Sequence, residues 1–593
     1  MPYTGIFDYD NKLIHPYGCV EVNGTQIELS QLSTAVPGDI VNFDLDTKTV
    51  VSIQSTNFPN IAGVLFCTGP VMGIVKQGIV YRKFIANNPQ FPDILISCRK
   101  TQSCPNEFGI VNIVKVYDGT LYGTYKNKIG TPGNLLDERE YFMYCHNIKR
   151  KKYNKKYNIE DYLSDLTPDR IDLTNLNTIS VDPHGCKDID DALSVTETEK
   201  YYEIYIHIAD VSSFIEIGSE LDKQGMMRVE SLYLNWVQED MYPQNLVHAM
   251  SLFENCDCRS FTTVIYLDKN TLKVNKVNCM KSVVNINKNM SYEEFQQTFH
   301  TNNDMNLLYE IGKKLYETGV VTKNIKVEYD SHKMVEVYMI LCNSVIAEKI
   351  YVTGKYLPIS RSHKEICSEN SEPSSELDPE ISDIINHYKS LKAEYILGKA
   401  SHDSIGQEFY SHFTSPIRRY ADLMTHRLLY YSLLDSSDVS NVSNTLDISK
   451  FSDILIHINK TRSYIQKGNR ESILLDKLYQ YHLQNNNVID TTGNVVLINE
   501  SSVIVFCKEH AIEIKCPLYS RKIAHLLTIV HDENTINLIH NTNNNSITMT
   551  IGEIVHLKII VTFLAGRLVN KVIGQLLDPD PMELFNFSMN DIE

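Results

Sequence analysis

Between Asp182 and Asp191 the chain sets four carboxylates, Asp182, Asp188, Asp190 and Asp191, into ten residues, directly after the apolar-leaning run Thr178-Ile179-Ser180-Val181. Like charges this close repel one another, so a fold keeps them together only by leaving them in water or by giving them cations to share. His184 and Cys186 interrupt the run without the paired spacing of a zinc site. Oxygen donors of this kind suit Mg²⁺, with Mn²⁺ as the alternative. Two such ions roughly 3.5 to 4 Å apart would clamp the attacking and leaving oxygens of an in-line phosphoryl displacement. A solvated acidic turn, or a structural Ca²⁺ loop, is the plainer reading of the same residues. The sequence downstream decides between them.

After Asp191 come Ala192-Leu193-Ser194-Val195 and then Tyr202 to Ile208, where Ile204, Ile206 and Ile208 alternate with Glu203, Tyr205 and His207. That is the period of a strand. Asp182 to Ala192, followed by His207-Ile208-Ala209-Asp210-Val211, resembles the signature of the ribonuclease II (RNB) family of 3′→5′ exoribonucleases. The resemblance implies a processive hydrolase that degrades single-stranded RNA to nucleoside 5′-monophosphates. It makes Asp182, Asp188, Asp190 and Asp191 the metal ligands, with Asp190 the one most needed for chemistry. No Ser or Cys nucleophile is required. The rival is a catalytically silent RNA-binding scaffold of the same fold, which has no reason to keep like charges crowded. A DNA-directed nuclease is set aside only by the resemblance.

The second chemical anchor is His412-Phe413-Thr414-Ser415-Pro416-Ile417-Arg418-Arg419-Tyr420. Ser415 reads as an N-cap and Pro416 as the first helical residue, with Leu423, Met424, Leu428 and Tyr431 as the buried stripe. Arg418 and Arg419 then fall in a first turn, where unpaired N–H groups already favour a phosphate. By the family match Arg418 is catalytic and Arg419 an RNA contact. Tyr233, in Ser231-Leu232-Tyr233-Leu234, matches a position whose ring packs on the terminal nucleotide; blind, a tyrosine between two leucines is more often core. Tyr292, Arg361 and Arg470 lie in further stretches similar to the family and are taken as RNA contacts. The family usually carries Glu where Asn469 stands, and a neutral amide there would not repel RNA. His402, His412 and His426 lack metal spacing.

With 593 residues, the chain is expected to form about three to five domains. At 43% hydrophobic residues it can bury real cores. The net charge of -17 argues against a generic polyanion binder, although carboxylates neutralised by metal would account for part of it. Thirteen cysteines without regular spacing suggest reduced thiols. No apolar run reaches a membrane span and Met1-Pro2-Tyr3-Thr4 starts no signal peptide, so a cytoplasmic protein with no membrane contact is expected. A monomer is expected, and with no endonuclease domain read at the N-terminus, docking onto an exosome-type ring is not indicated.

The expected class is α+β multidomain: two N-terminal OB (cold-shock-like) β-barrels, a central mixed α/β RNB catalytic domain and a C-terminal S1-like OB β-barrel. Residues 1–60 and 61–145 read as all-β, and the two OB domains are placed there by resemblance. The basic run Lys149-Arg150-Lys151-Lys152-Tyr153-Asn154-Lys155-Lys156 lies in a linker, 146–165, and is either a solvated tether or an RNA contact. The catalytic domain spans 166–485, with helices at 334–348, 381–397 and 454–484 and an exposed loop at 364–380. Strands including 549–560 and 567–577 build the S1-like domain, 490–580, before an acidic tail, 581–593.

Overall fold

The alternation at Tyr202 to Ile208 becomes the strand Tyr201–Ala209 of a six-stranded sheet in the computed structural model. The sheet order is Ile171–Asp172, Val274–Ser291, Thr178–Asp182, Asp191–Glu197, Tyr201–Ala209 and Asp257–Asp268. Val274–Ser291 also pairs with Asp257–Asp268, so the sheet closes on itself. It runs parallel to Thr178–Asp182 and brings Asp182 opposite Ser291. Ile204, Ile206 and Ile208 are fully buried, each contributing roughly 1.5–3 kcal/mol of transfer free energy. The core also contains a chain of hydroxyls around a buried imidazole. Thr178 Oγ1 meets Ser194 Oγ at 2.7 Å, Ser194 meets His207 Nε2 at 3.0 Å, and His207 Nδ1 meets Thr262 Oγ1 at 2.8 Å. Burial pushes His207 down to about 3, so it is a neutral structural residue.

The structure describes the chain except for residues 1–2, 9–18, 23–24, 32, 34, 56–60, 77–78, 89–90, 100–103, 118, 154–156, 163–169, 320, 322–327, 365–377, 390–391, 435–446, 485–486, 520–522, 533, 543–544, 564–570 and 586–593. Expectations on Asn154 to Lys156, most of the 364–380 loop, the start of the 567–577 strand and the end of the acidic tail lie outside the described residues. Among the described residues no helix is long and apolar enough to cross a membrane.

The chain falls into two compact units: residues 150–372 with 389–469, and residues 1–149 with 373–388 and 470–593. The second unit starts with a five-stranded antiparallel sheet built from Tyr3–Asp8, Cys19–Val22, Thr25–Glu28, Ile40–Asp44 and Thr49–Ser55. A ring follows: Ile61–Leu65, Glu107–Tyr117, Thr120–Gly130, Ile94–Cys98 and Ile79–Ala86, which returns to Ile61–Leu65. Its one parallel pair is Thr120–Gly130 with Ile94–Cys98. The C-terminal part has a five-stranded sheet and a separate meander, Leu527–His531, Thr535–His540 and Ser546–Thr550.

Several boundaries differ from the sequence reading. The linker is not a free tether, because Arg150 to Tyr153 belong to the unit of residues 150–372 with 389–469, the one that carries the acidic run and is called the catalytic unit below for its proposed role. That unit also yields residues 373–388, whose helix Pro379–Lys389 packs Ile381 and Ile385 on Val496 and Phe506 of the C-terminal sheet. The helix expected at 381–397 stops at Lys389, and Glu394–Leu397 is a strand antiparallel to Ile359–Ser362. The Asn459 side chain fixes that strand, accepting from Tyr395 N–H at 2.8 Å and donating to Tyr395 C=O at 2.9 Å, as a neighbouring strand would. The strand expected over 549–560 breaks at Gly552, whose φ of 92° turns the chain between Ser546–Thr550 and Ile554–Val561. The helix Leu135–Cys145 went unseen because its buried Glu138 interrupts the apolar stripe.

Candidate active site

Asp182 ends the strand Thr178–Asp182 and Asp191 begins Asp191–Glu197, so the acidic run is the connection between paired strands. Gly185 takes φ 77°, which lets the connection turn back sharply. Three anchors then fix it. Leu252 N–H donates to Ile189 C=O at 3.0 Å, Ala209 N–H to Asp190 C=O at 2.8 Å, and Ser251 Oγ to Lys187 C=O at 3.3 Å. With Ile189 buried as a plug, Asp188 and Asp190 are turned inward, at 9% and 3% exposure.

The carboxylates share one electrostatic environment. Burial raises Asp190 well above the usual carboxylate range, opposed by the Arg418 guanidinium and the Ile417 N–H, which donates to Oδ1 at 2.8 Å. Burial and the charge of Asp182 push Asp191 up to about 8, opposed by Arg418 and Arg419. Asp182 is pushed up to about 6, by burial first and by Asp188 among its neighbours. Asp188 Oδ2 accepts from the Tyr233 hydroxyl at 2.5 Å. At about 8, Asp191 keeps its proton at neutral pH unless a cation replaces it.

The residues fit a hard divalent ion by donor chemistry. All four side chains offer oxygen, and Asp182 Oδ2 and Asp190 Oδ2 are buried without a hydrogen bond. Among the described residues no three His, Cys, Asp or Glu side chains converge on one point that could hold a metal. Among the described residues these side chains thus form no closed protein cage of the structural Ca²⁺ or Zn²⁺ kind. Mg²⁺ needs none, since it is usually held by one or two carboxylates with water and substrate phosphate filling its octahedron.

Arg418 faces this set from a turn, not from a helix. The helix expected to start at Pro416 begins at Tyr420, and Ser415 does not cap it. Residues 229–231 compete for the same backbone: Ser231 N–H donates to Arg418 C=O at 2.8 Å, Tyr420 N–H to Val229 C=O at 2.8 Å, and Glu230 bridges Arg419. This holds Arg419 extended, at φ -134°. Asp422 instead takes the Ser415 N–H at 2.9 Å and the Arg419 guanidinium at 2.7 Å. Arg418 Nη2 donates to Ser415 Oγ at 3.0 Å and its Nε lies 3.5 Å from Asp190 Oδ2, with the side chain 42% exposed.

The other sequence candidates divide. Tyr233 stands between the buried Leu232 and Leu234, is 40% exposed as a residue and places its hydroxyl on Asp188, so it is not core. Tyr292 opens the helix Tyr292–Thr298 next to Asp182's strand and feels the charges of Asp191 and Asp182; its ring stacks on His332 at 3.9 Å. Arg419 is committed to Asp422, so its charge is matched inside the protein. Arg361 is 7% exposed, 4.7 Å over the ring of Tyr395, and is pushed down to about 10 by burial. Arg470 is exposed and belongs to the other compact unit. Sequence reasoning missed the Ile417 N–H, a backbone donor with no residue-type signal, and Glu230, whose carboxylate takes Arg462 Nε at 2.8 Å.

Residues 170–435 match the RNB domain family. The exosome complex exonuclease RRP44 of Mus musculus is 25% identical over 537 residues, covering 75% of this chain and 55% of that protein. Ribonuclease R of Mycoplasma pneumoniae is 27% identical over 332 residues, covering 45% of this chain and 46% of that protein. The chain thus spans about half the length of these curated relatives. Two solved structures share the fold. Mycoplasma genitalium RNase R in complex with ribose methylated single-stranded RNA matches with a TM-score of 0.73 at 18% identity, over 97% of this chain and 100% of that one. Yeast Ssd1, a pseudonuclease, matches with a TM-score of 0.66 at 14% identity, over 98% and 97%.

Proposed function

Because the chain carries an RNB domain over residues 170–435, which bears out the resemblance drawn from its motifs, we propose that it is a hydrolytic exoribonuclease acting on single-stranded RNA from the 3′ end. The observation that carries the reading is the single electrostatic environment that Asp182, Asp188, Asp190 and Asp191 share with Arg418 and Tyr233, drawn from three separate stretches of chain. The Arg418 guanidinium, exposed on one side and steered by Ser415, meets the scissile phosphate where charge develops. The half-exposed Tyr233 ring offers a face on which any terminal base stacks, which suits degradation without sequence preference. Mg²⁺, or Mn²⁺, would be held by carboxylates of the set Asp182, Asp188, Asp190 and Asp191, with water and phosphate completing its shell, and would supply charge neutralisation and Lewis acidity for release of nucleoside 5′-monophosphates. The closed strand ring at Ile61 to Gly130 supports the OB reading of residues 61–145, and the C-terminal sheet supports the S1-like one. The reading takes the chain as a cytoplasmic monomer, and docking onto an exosome-type ring is not part of it.

The second reading, a silent scaffold, is favoured by one observation, the likeness to yeast Ssd1, a pseudonuclease. The crowded, destabilised carboxylates weigh against it. The experiment is incubation of the purified chain with 5′-end-labelled single-stranded RNA in Mg²⁺ or in EDTA. Stepwise shortening from the 3′ end in Mg²⁺ alone is expected; RNA bound but uncut under both conditions would leave the scaffold.

A further inference from the structure

The hairpin that carries Tyr233, Leu232–Leu234 paired with Val237–Glu239, is a sheet of two strands, too small to hold its own geometry. Its two ends are clasped on one side by the turn that carries Arg418, through Ser231 N–H on Arg418 C=O and the bridge from Glu230 to Arg419. On the other side lies the segment that begins the catalytic unit. Arg150 spreads its guanidinium over three backbone carbonyls, those of Glu239 at 3.0 Å, Arg228 at 3.1 Å and Glu230. Arg228 answers in kind, donating to Lys151 C=O at 2.6 Å and Asp240 C=O at 2.9 Å while lying 4.1 Å over the Tyr153 ring. The Tyr153 hydroxyl closes the set by donating to Met241 C=O. Every contact falls on 228–230 or 239–241, the two residue groups where the hairpin enters and leaves.

We propose that Arg150 to Tyr153 form a positioning strap that sets the Tyr233 ring and, through Glu230, the Arg418 turn against the carboxylates. Part of the basic run then acts as a clamp on carbonyl oxygens and not as a charge for phosphates. A fork of fixed N–H groups can satisfy several carbonyls at once where a lysine ammonium cannot hold the same geometry. Arg150 and Tyr153 are positioning residues: neither touches the carboxylates, and both act through the hairpin.

This inference rests on Tyr233 stacking the terminal base, as the proposed function holds, and the test keeps the two apart. RNA with 2-aminopurine as its 3′-terminal base is bound in Mg²⁺ to Asp190→Asn protein, and its fluorescence reports stacking without turnover. Strong quenching is expected, lost in Tyr233→Ala and mostly lost in Arg150→Ala. Arg150→Lys, which keeps the charge and removes the fork, should behave like Arg150→Ala; quenching as strong as with Arg150 would overturn the strap. Steady-state rates on short RNA should fall about tenfold in Arg150→Ala. In a Tyr233→Ala background the same change should cost clearly less than it does in the native chain, because part of its effect runs through the ring. Additive losses would reduce Arg150 to an ordinary stabilising residue. Should Arg150→Ala fail to fold, Tyr153→Phe removes only the Met241 bond and should show a smaller loss with the same non-additivity. A chain that quenches but never cleaves would sink the exonuclease reading and leave the strap standing.

Discussion

Asp190 shows how much a single side chain is asked to do at this site. One oxygen is fixed by Ile417 N–H, and the other is buried without a donor and faces Arg418 Nε at 3.5 Å. Its folded carboxyl is raised well above 3.8, chiefly by burial. The folded state then holds a proton that the unfolded chain has released, so stability falls as pH climbs above about 3.8. Asp190→Asn should accordingly leave the thermal midpoint of metal-free protein unchanged near pH 4 and raise it at pH 8, while abolishing cleavage. Calorimetric scans at the two pH values check this, and a midpoint lowered at pH 8 would contradict it. Mg²⁺ should stabilise the native sequence more at pH 8 than at pH 5, because protons compete for the same oxygens. Arg418→Ala should lower kcat with little change in KM if the guanidinium meets charge that exists only in the transition state. Single-turnover rates against RNA affinity separate this from simple loss of binding.

At the scale of elements, helices and strands are placed by a few buried charges. The helix Leu135–Cys145 carries Glu138, 1% exposed, and the Lys571 ammonium at 2% exposure lies 2.9 Å from its carboxylate. The same helix holds Asp476 by a two-pronged Arg139 contact and Glu471 by His146. An N-terminal segment is thereby fastened to C-terminal residues inside one unit. Glu138→Ala would strand the Lys571 charge, and a loss of about 3–5 kcal/mol is expected. Replacing both partners, Glu138→Leu with Lys571→Met, should recover most of it, since a well-packed apolar pair costs no charge burial. Denaturant melts of the three proteins decide; equal melts for the native chain and Glu138→Ala would show the pair to be idle. Removing 1–145 as if it were a detachable module would strand the same lysine.

For the whole molecule, a net charge of -17 opposes the polyanionic substrate of the proposed function, whose affinity would then come from a few local cations and from stacking. Each phosphate contact on a single strand contributes about 0.7 to the slope of log affinity against log salt. A slope smaller in magnitude than about 3 is expected; one of 6 or more would reveal an extended basic surface. From the sequence by itself the four aspartates, Arg418 and Tyr233 were legible as candidates, because local motifs record which residue types a phosphate and a cation require. The sequence also determined the strand Tyr201–Ala209 and the helix Phe451–Leu483, where the apolar period is strong. Only the tertiary structure decided what those residues touch. Residues 229–231 capture the backbone of Arg418 to Tyr420 and move the helix start to Tyr420, and Asn459 makes a strand of Glu394–Leu397. Arg150, read as part of a solvated tether or an RNA contact, ends on three carbonyls, and Arg419, read as an RNA contact, ends on Asp422. A side chain's charge is written in its identity, but whether that charge meets solvent, substrate, a carboxylate or a backbone carbonyl is settled by the fold around it, which no local pattern records.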